Sequence, residues 1–195
     1  VKTKIGVCPQ TDLCLPYMTC EENLRLLAEI RGIPKDKVHE EIVNQLSRVG
    51  LLLDRGKLSS QLSGGNRRKL SLAMALMGGT QILYFDEPTS AMDPSSRRVI
   101  WNIIKELKSQ GKTIVLTTHY LEEADELADR IGVMSKGQLF AVGSPEFIKK
   151  KFGVGYHLFV SPKYGHEIIK KFEGLKPHLI ETVKKIVPSA STVNQ

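Results

Sequence analysis

Residues 81–93 read Gln-Ile-Leu-Tyr-Phe-Asp-Glu-Pro-Thr-Ser-Ala-Met-Asp, an apolar run that ends abruptly in two neighbouring carboxylates. The run 82–85 is short and uninterrupted, which is typical of a strand buried on both faces of a parallel sheet. Ligands of open α/β sheets bind just beyond the carboxyl ends of the strands, where Asp86 and Glu87 fall. Two adjacent carboxylates repel each other unless a cation or a proton lies between them. We therefore expect Asp86 to hold a metal ion, directly or through water, and Glu87 to polarise a water molecule. The alternative is a pair of acids that caps the next helix or faces solvent.

The composition indicates an ordered globular chain, because 41% of the 195 residues are hydrophobic and 25% are charged. This length suits one domain, or one domain and part of another. The cysteines Cys8, Cys14 and Cys20 are spaced six apart without a C-x-x-C pair. They predict free thiols rather than a disulfide framework or a zinc site.

The net charge of +7 comes almost entirely from the end of the chain. Residues 1–148 carry 19 basic and 18 acidic side chains, whereas residues 149–195 carry 9 basic and 3 acidic ones. This basic segment is either a solvated face or a surface attracted to anionic lipid or an acidic partner domain. Nucleic acid is not expected as a partner, because no recognition motif or aromatic-interleaved basic stretch accompanies the charge.

The first part of the chain predicts a strand end at residues 5–7, then a loop that contains Gln10, then two helices. The amide of Gln10 could reach a metal ion or a water molecule, although a surface glutamine is the alternative. Thr19 and Glu22 fit a capping box that begins the first helix. The second helix runs from about Lys35 to Gly50 with one apolar face. These helices form an insert between two pieces of an α/β core.

Residues 62–71 predict an anion site at the start of a helix. Ser63 is a good N-cap, and the paired glycines Gly64 and Gly65 let a phosphate approach the backbone closely. The N–H groups and the dipole of a helix N-terminus favour an anion there. An ordinary glycine turn before a helix is the alternative.

The remaining chain predicts further strands and helices, one of which delivers a histidine to the same sheet edge. Asp93 and the proline after it mark the start of a helix that reaches about Ser109. A strand at 113–116 then leads to His119 at the edge where Asp86 lies. The other predicted elements are a helix at 121–127, a third strand at 131–134, a hairpin into 139–142 and a helix from 145 to about 152.

The sequence contains no match to the phosphate-binding P-loop pattern. Gly111, Lys112 and Thr113 resemble its end, but Glu106 stands where the pattern needs a glycine, and a strand follows instead of a helix. We interpret this tripeptide as a turn.

Five motifs in this order resemble the ATP-binding cassette of ABC transporters: Gln10, residues 62–66, residues 82–87, residues 90–93 and His119. In that family they are the Q-loop, the signature, Walker B with its catalytic glutamate, the D-loop and the switch histidine. Residues 63–71 and 118–125 resemble the A subfamily, whose members are lipid exporters or floppases. Asn66 replaces the Gln that is commonest in the superfamily; both are neutral amides.

The resemblance implies that two cassettes face head to tail and enclose ATP. Asp86 and Gln10 would lie around Mg²⁺, Glu87 would orient or deprotonate the attacking water, and His119 would contact the γ-phosphate. Asp93 would carry contact between the two sites. The residues that would contact nucleotide are Gln10, Ser63, Gly64, Gly65, Asn66 and Asp93.

The resemblance also implies an α/β fold with a P-loop NTPase-like parallel sheet, from which the N-terminal strands and Walker A are missing. Residues 1–153 would form a partial cassette with a helical subdomain at about 16–78, and residues 154–195 would begin a small α+β regulatory domain. The implied partners are a second cassette, in the same polypeptide, and transmembrane domains. The full-length protein would be an integral membrane protein with this domain on the cytoplasmic side. On this interpretation the chain is an internal fragment.

Three alternatives remain open on the sequence. One is a soluble ABC ATPase of the DNA-repair kind, although those place a long coiled coil between Q-loop and signature, and no sustained heptads occur here. The second is a translation-linked protein with tandem cassettes. The third is an inactive truncated product that acts as an interaction module.

Overall fold

The computed structural model of the chain describes residues 4–153 and 177–186. The chain divides into two compact units, Val1–Phe152 and Gly153–Gln195. Within the second unit, residues 177–186 are helical. The predictions for the basic segment and the regulatory domain fall largely outside the described residues. None of the helices in the described ranges combines the length and hydropathy that crossing a bilayer requires.

The core of the first unit is a parallel sheet of three strands, in the order β1-β2-β3. The strands are β1 Ile5–Cys8, β2 Ile82–Asp86 and β3 Thr113–Thr117. Cys8 is paired with Phe85, and Asp86 is paired with Thr117. The three carboxyl ends therefore lie at one edge, and the prediction of an α/β fold with a parallel sheet is confirmed.

One face of this sheet is buried and the other is open. Leu83 and Phe85 are buried, whereas Val7, Tyr84 and Val115, which pair in register across the three strands, are 50%, 45% and 47% exposed. The expectation that residues 82–85 are buried on both faces is therefore wrong for this structure. The physical reason is that the described residues leave about half of each of these side chains uncovered on the face that carries Tyr84.

A helical segment connects β1 to β2. It consists of α1 Cys20–Ile30, α2 Lys35–Arg48, short 3-10 turns at Leu52–Asp54 and Ser59–Gln61, and α3 Gly64–Leu76. Thr19 and Glu22 form the predicted capping box of α1, and Ser63 is the N-cap of α3. Buried side chains of α3 include Leu70, Leu72 and Leu76, so this helix packs into the core.

The chain after β2 forms α4 Pro94–Ser109, α5 Leu121–Leu127, β4 Ile131–Ser135, β5 Gln138–Gly143 and α6 Pro145–Phe152. Strand β4, the predicted third strand at 131–134, pairs antiparallel with β5 in a separate sheet instead of extending the parallel one. The two-residue loop Lys136 and Gly137 has φ of +48° and +76°, as a type I′ hairpin turn requires.

Gly6 of β1 lets α3 approach the sheet closely. A Cβ at this position would lie 2.1 Å from the carbonyl oxygen of Ala75 in α3 and 2.7 Å from Cδ2 of Leu83. Because the oxygen belongs to the backbone of a buried helix, it cannot move aside as a flexible side chain can. The distance between α3 and the sheet therefore depends on a residue without a side chain.

We predict that Gly6→Ala lowers the free energy of unfolding by about 1–3 kcal/mol, because overpacking must push α3 away from β1. Gly56→Ala is the matched control, since a Cβ there meets no atom of the described part of the chain within 4 Å, and it should stay within about 0.5 kcal/mol of the parent. Urea titrations followed by circular dichroism compare the two. Equal stability of both variants would contradict the close approach.

Candidate functional site

Three predicted site residues meet at the carboxyl edge of the parallel sheet. Nε2 of Gln10, in the loop after β1, donates to Oε2 of Glu87 at 3.2 Å. Nδ1 of His119, after β3, lies 3.3 Å from Oε1 of the same carboxylate. Glu87 thus stands between an amide and an imidazole, with 25% of its side chain exposed. The structure brings these three residues together as the parallel topology predicts.

Asp86 and Glu87 are both anchored to Thr117 at the end of β3. The hydroxyl of Thr117 donates to Oδ1 of Asp86. The backbone N–H of Glu87 donates to the carbonyl of Thr117 at 3.0 Å and contacts its hydroxyl at 3.3 Å. The first bond orients the carboxylate of Asp86, and the other two fix the backbone of Glu87.

The backbone at Glu87 is in the left-handed region, with φ of +46°, and Ala91 follows with φ of +57°. Residues other than glycine adopt this conformation at a cost, and such residues cluster at functional sites. Ser90 N–H donates to the carbonyl of Glu87 at 3.1 Å, which closes the turn. The backbone turns sharply at Glu87, immediately after β2.

The glycine motif lies at the start of α3. The hydroxyl of Ser63 accepts from the N–H of Asn66 at 3.3 Å, so Ser63 caps the helix as predicted. Gly64 and Gly65 form its first turn, and a Cβ on Gly65 would lie 3.9 Å from Cε of Met92. No hydrogen bond among the described residues joins the side chains of this motif to Glu87. The roles given to Ser63, Gly64, Gly65 and Asn66 stay predictions.

Asp93 is the N-cap of α4, as predicted. Its Oδ1 accepts from the hydroxyl of Ser95 and from the backbone N–H groups of Ser95 and Ser96. Hydrogen bonding from the hydroxyl of Ser95 foremost, then from the side chain and backbone of Ser96, holds the pKa of Asp93 well below its ordinary value. Asp93 therefore has a structural role as a helix cap. Its role in contact between nucleotide sites stays a prediction.

Cys8, Cys14 and Cys20 are free thiols, as predicted. Burial raises the pKa of Cys8 and of Cys20 to about 11 and also raises the pKa of Cys14. Their thiolate fractions at neutral pH are therefore small. The chemistry of this edge falls to the carboxylates, the amide and the imidazole.

Two buried charged residues near the site were missed by the sequence predictions. Arg68 of α3 is 5% exposed, and its guanidinium reaches the loops that contain Gln10 and Glu87. Glu123 of α5 is fully buried. Each stands four residues before a buried leucine on its helix, Leu72 and Leu127, and this spacing is the signal that could have placed both on an inner face.

Glu123 joins α5 to the loop after β2. Its Oε1 accepts from the hydroxyl of Thr89 at 2.8 Å and from Nε1 of Trp101 at 2.9 Å. Its Oε2 is buried and has no hydrogen-bond partner within residues 4–153 and 177–186. Because Thr89 follows Glu87 by two residues and Glu123 follows His119 by four, this contact ties together the two segments that carry the predicted catalytic side chains.

Comparison with known proteins identifies the family. The model of the ABC transporter family matches residues 1–90. The chain is 45% identical over 158 residues to the phospholipid-transporting ATPase ABCA3 of Homo sapiens. The aligned residues make up 81% of the chain and 9% of that protein. It is 41% identical over 191 residues to the cholesterol transporter ABCA5 of Homo sapiens, covering 98% of the chain and 11% of that protein. It is 45% identical over 158 residues to the ATP-binding cassette sub-family A member 9 of Mus musculus, covering 81% of the chain and 10% of that protein. The chain thus spans about a tenth of the length of the curated relatives it matches.

We predict that Thr89→Val lowers the free energy of unfolding by about 1–3 kcal/mol, because it deprives a buried carboxylate of a donor without changing side-chain volume much. Thr80→Val is the matched control: Thr80 is equally buried, but its hydroxyl donates to a neutral carbonyl, that of Ala75, at 3.4 Å. Denaturant unfolding of both variants measures the difference. A loss at Thr80 as large as that at Thr89 would contradict a special role for the Glu123 contact.

Proposed function

Because the chain belongs to the ABC transporter family, as part of a nucleotide-binding domain of the A-subfamily type, we propose that it acts in an ATPase that drives transmembrane transport of lipid. The observation that carries the proposal is the meeting of Gln10, Glu87 and His119 at one sheet edge, with Asp86 beside them. An amide, a carboxylate and an imidazole at this position can orient a water molecule, accept its proton and contact a phosphate.

The donor set at this edge fits Mg-ATP. Mg²⁺ prefers oxygen ligands and is usually held by one or two carboxylates together with phosphate oxygens. Asp86 supplies a carboxylate, of which Oδ1 is oriented by Thr117, and Gln10 supplies an amide. Among residues 4–153 and 177–186, no group of three or more His, Cys, Asp or Glu side chains is placed to hold a metal ion. In the proposal Asp86 and Gln10 hold Mg²⁺, which supplies charge neutralisation at the β- and γ-phosphates.

Glu87 is the proposed general base. Its carboxylate is partly exposed and oriented by hydrogen bonding from Gln10, so it can accept a proton from a water that lies in line with the phosphate. His119 is proposed to contact the γ-phosphate, and it is 56% exposed at the side chain. The backbone of Glu87 is fixed by Thr117, which limits the orientations that the carboxylate can sample.

The N-terminus of α3 is the proposed contact to nucleotide held by a second cassette. Ser63 and the backbone of Gly64 and Gly65 would bind the γ-phosphate, with Asn66 beside them, because a capped helix of 13 residues directs N–H groups and its positive dipole end toward an anion. Asp93 is proposed to carry contact between the two sites through the carboxylate oxygen that does not cap α4.

The proposed partners are a second ATP-binding cassette, arranged head to tail, and the transmembrane domains of a transporter, so that the domain works at the cytoplasmic side of a membrane. Lipid is the proposed substrate because the relatives above are named as phospholipid-transporting and cholesterol transporters. Those relatives lend no support to a DNA-repair, translation-linked or inactive protein. The helical segment between Thr11 and Leu62 is proposed to pass motion to the transmembrane partner.

In the full-length transporter, we predict that Glu87→Gln abolishes ATP turnover while ATP binding persists, because the amide keeps the shape of the side chain but cannot accept the proton. Steady-state phosphate release and binding of labelled ATP measure the two effects. Glu122→Gln is the control, since it makes the same chemical change in the first turn of α5. Turnover at the parental rate in Glu87→Gln would remove the role of Glu87.

For the 195-residue chain purified alone, we predict no appreciable affinity for Mg-ATP. Its sequence contains no glycine-rich nest with a lysine that cradles the β- and γ-phosphates, and two magnesium ligands with one helix terminus do not replace it. Isothermal titration calorimetry tests this. A dissociation constant in the low micromolar range would refute the prediction.

A further inference from the structure

The guanidinium of Arg68 places all of its donors on main-chain carbonyls. An arginine side chain has five N–H groups. Nε donates to Pro88 at 3.2 Å, one terminal nitrogen donates to Gln10 at 3.1 Å, and the other donates to Glu87 at 3.0 Å. Two further bonds complete the set, to the carbonyls of Pro9 and Asp86.

These five carbonyls belong to two segments that matter for the proposed function. Pro9 and Gln10 follow β1, and residues 86–88 end β2 and carry the proposed base. Pro9, Gln10, Glu87 and Pro88 lie beyond the last paired residues of their strands, so their carbonyls have no ladder partner, and one side chain binds the ends of two neighbouring strands together. Arg68 holds the two segments side by side.

Because Arg68 is buried, its positive charge needs a complete set of hydrogen bonds. Arg68 is 5% exposed, and a buried charge is costly unless its hydrogen bonds are complete. The five carbonyl dipoles supply those bonds, and Oδ1 of Asp12 lies 3.9 Å from the guanidinium. A lysine has three donors in a compact group and cannot reproduce this planar pattern. The site is therefore specific for arginine.

The same helix carries the proposed phosphate contacts. Arg68 lies five residues after Ser63, and buried residues such as Leu70 and Leu72 pack α3 into the core. Gly6 holds α3 close to β1. A small displacement of the N-terminus of α3 therefore reaches the loops of Gln10 and Glu87 through a packed helix and five hydrogen bonds.

We propose that Arg68 is a positioning residue that couples the N-terminus of α3 to the loops of Gln10 and Glu87. The inference rests on the proposed function. In a head-to-tail pair, Ser63 and Glu87 of one cassette face different ATP molecules, so Arg68 links the two nucleotide sites within one chain. Phosphate contact at α3 then sets the position of the base in the other site.

The experiment uses the full-length transporter with Arg68→Lys, Arg68→Met and the control Arg67→Met. Arg67 is the adjacent arginine of α3; it donates to the carbonyl of Leu62 at 3.0 Å and pairs with Asp12 in the loop after β1, but it donates to none of the five carbonyls that Arg68 binds. We expect Arg68→Met to lower kcat about 100-fold with KM nearly unchanged, because misplacing a catalytic group by about 1 Å has this effect. Arg68→Lys should lose about 10-fold, since it keeps some of the donors.

Combination with Ser63→Ala tests the coupling. If Arg68 transmits the effect of the phosphate contact, the kcat losses of Ser63→Ala and Arg68→Met do not multiply, whereas those of Ser63→Ala and Arg67→Met do. Multiplicative losses in both pairs, or a loss at Arg67→Met equal to that at Arg68→Met, would overturn the proposal.

Hydrogen exchange gives a measurement that does not depend on ATP hydrolysis. Without nucleotide, Arg68→Met should accelerate exchange in residues 10–13 and 87–91 relative to the parent protein, and in residues 87–91 relative to Arg67→Met, in a protein that circular dichroism shows to be folded. Arg68→Lys serves as the readout if Arg68→Met does not fold. Unchanged exchange in these loops would overturn the proposal, whereas faster exchange in a protein that hydrolyses no ATP would support the contact and reject the proposed ATPase.

Discussion

The parallel alignment of β1, β2 and β3 is the constraint on which the site depends. Parallel strands end at the same edge, and the pairing of Cys8 with Phe85 and of Asp86 with Thr117 fixes how far each strand advances. Residues distant in sequence, such as Gln10 and His119, therefore converge on one carboxylate. This convergence is a property of the register; Gly6 lets α3 lie close to β1, and Arg68 binds the ends of β1 and β2 together.

Local chemistry made much of the fold predictable from the sequence. The capping box of α1, the Ser63 cap, the Asp93 cap and the turn at Lys136 each depend on residues within a few positions of one another. Caps and tight turns of this kind can be recognised from the local sequence, because their stability does not depend on contacts with distant segments. The meeting of Gln10, Glu87 and His119 was also predictable, because it follows from the general geometry of parallel sheets rather than from particular contacts.

The remaining features depend on contacts between distant segments. Arg68 stands in the basic run Arg67–Lys69, which has the composition of a solvated face, and only the tertiary structure supplies its carbonyl partners. Glu123 follows another acid, Glu122, and its buried environment is formed by Thr89 and Trp101. The exposure of Tyr84 was mispredicted for the same reason. An apolar strand pattern shows that a strand can be buried, but whether another element covers it depends on the tertiary structure.

The left-handed backbone of Glu87 has a consequence for protein engineering. This conformation costs roughly 1–2 kcal/mol for a residue with a Cβ, and glycine would adopt it freely. A laboratory selection for thermal tolerance alone therefore rewards replacement of the very side chain on which hydrolysis is proposed to depend. Library design that aims at a robust domain should hold position 87 fixed, since a substitution that gains stability there would remove the proposed base.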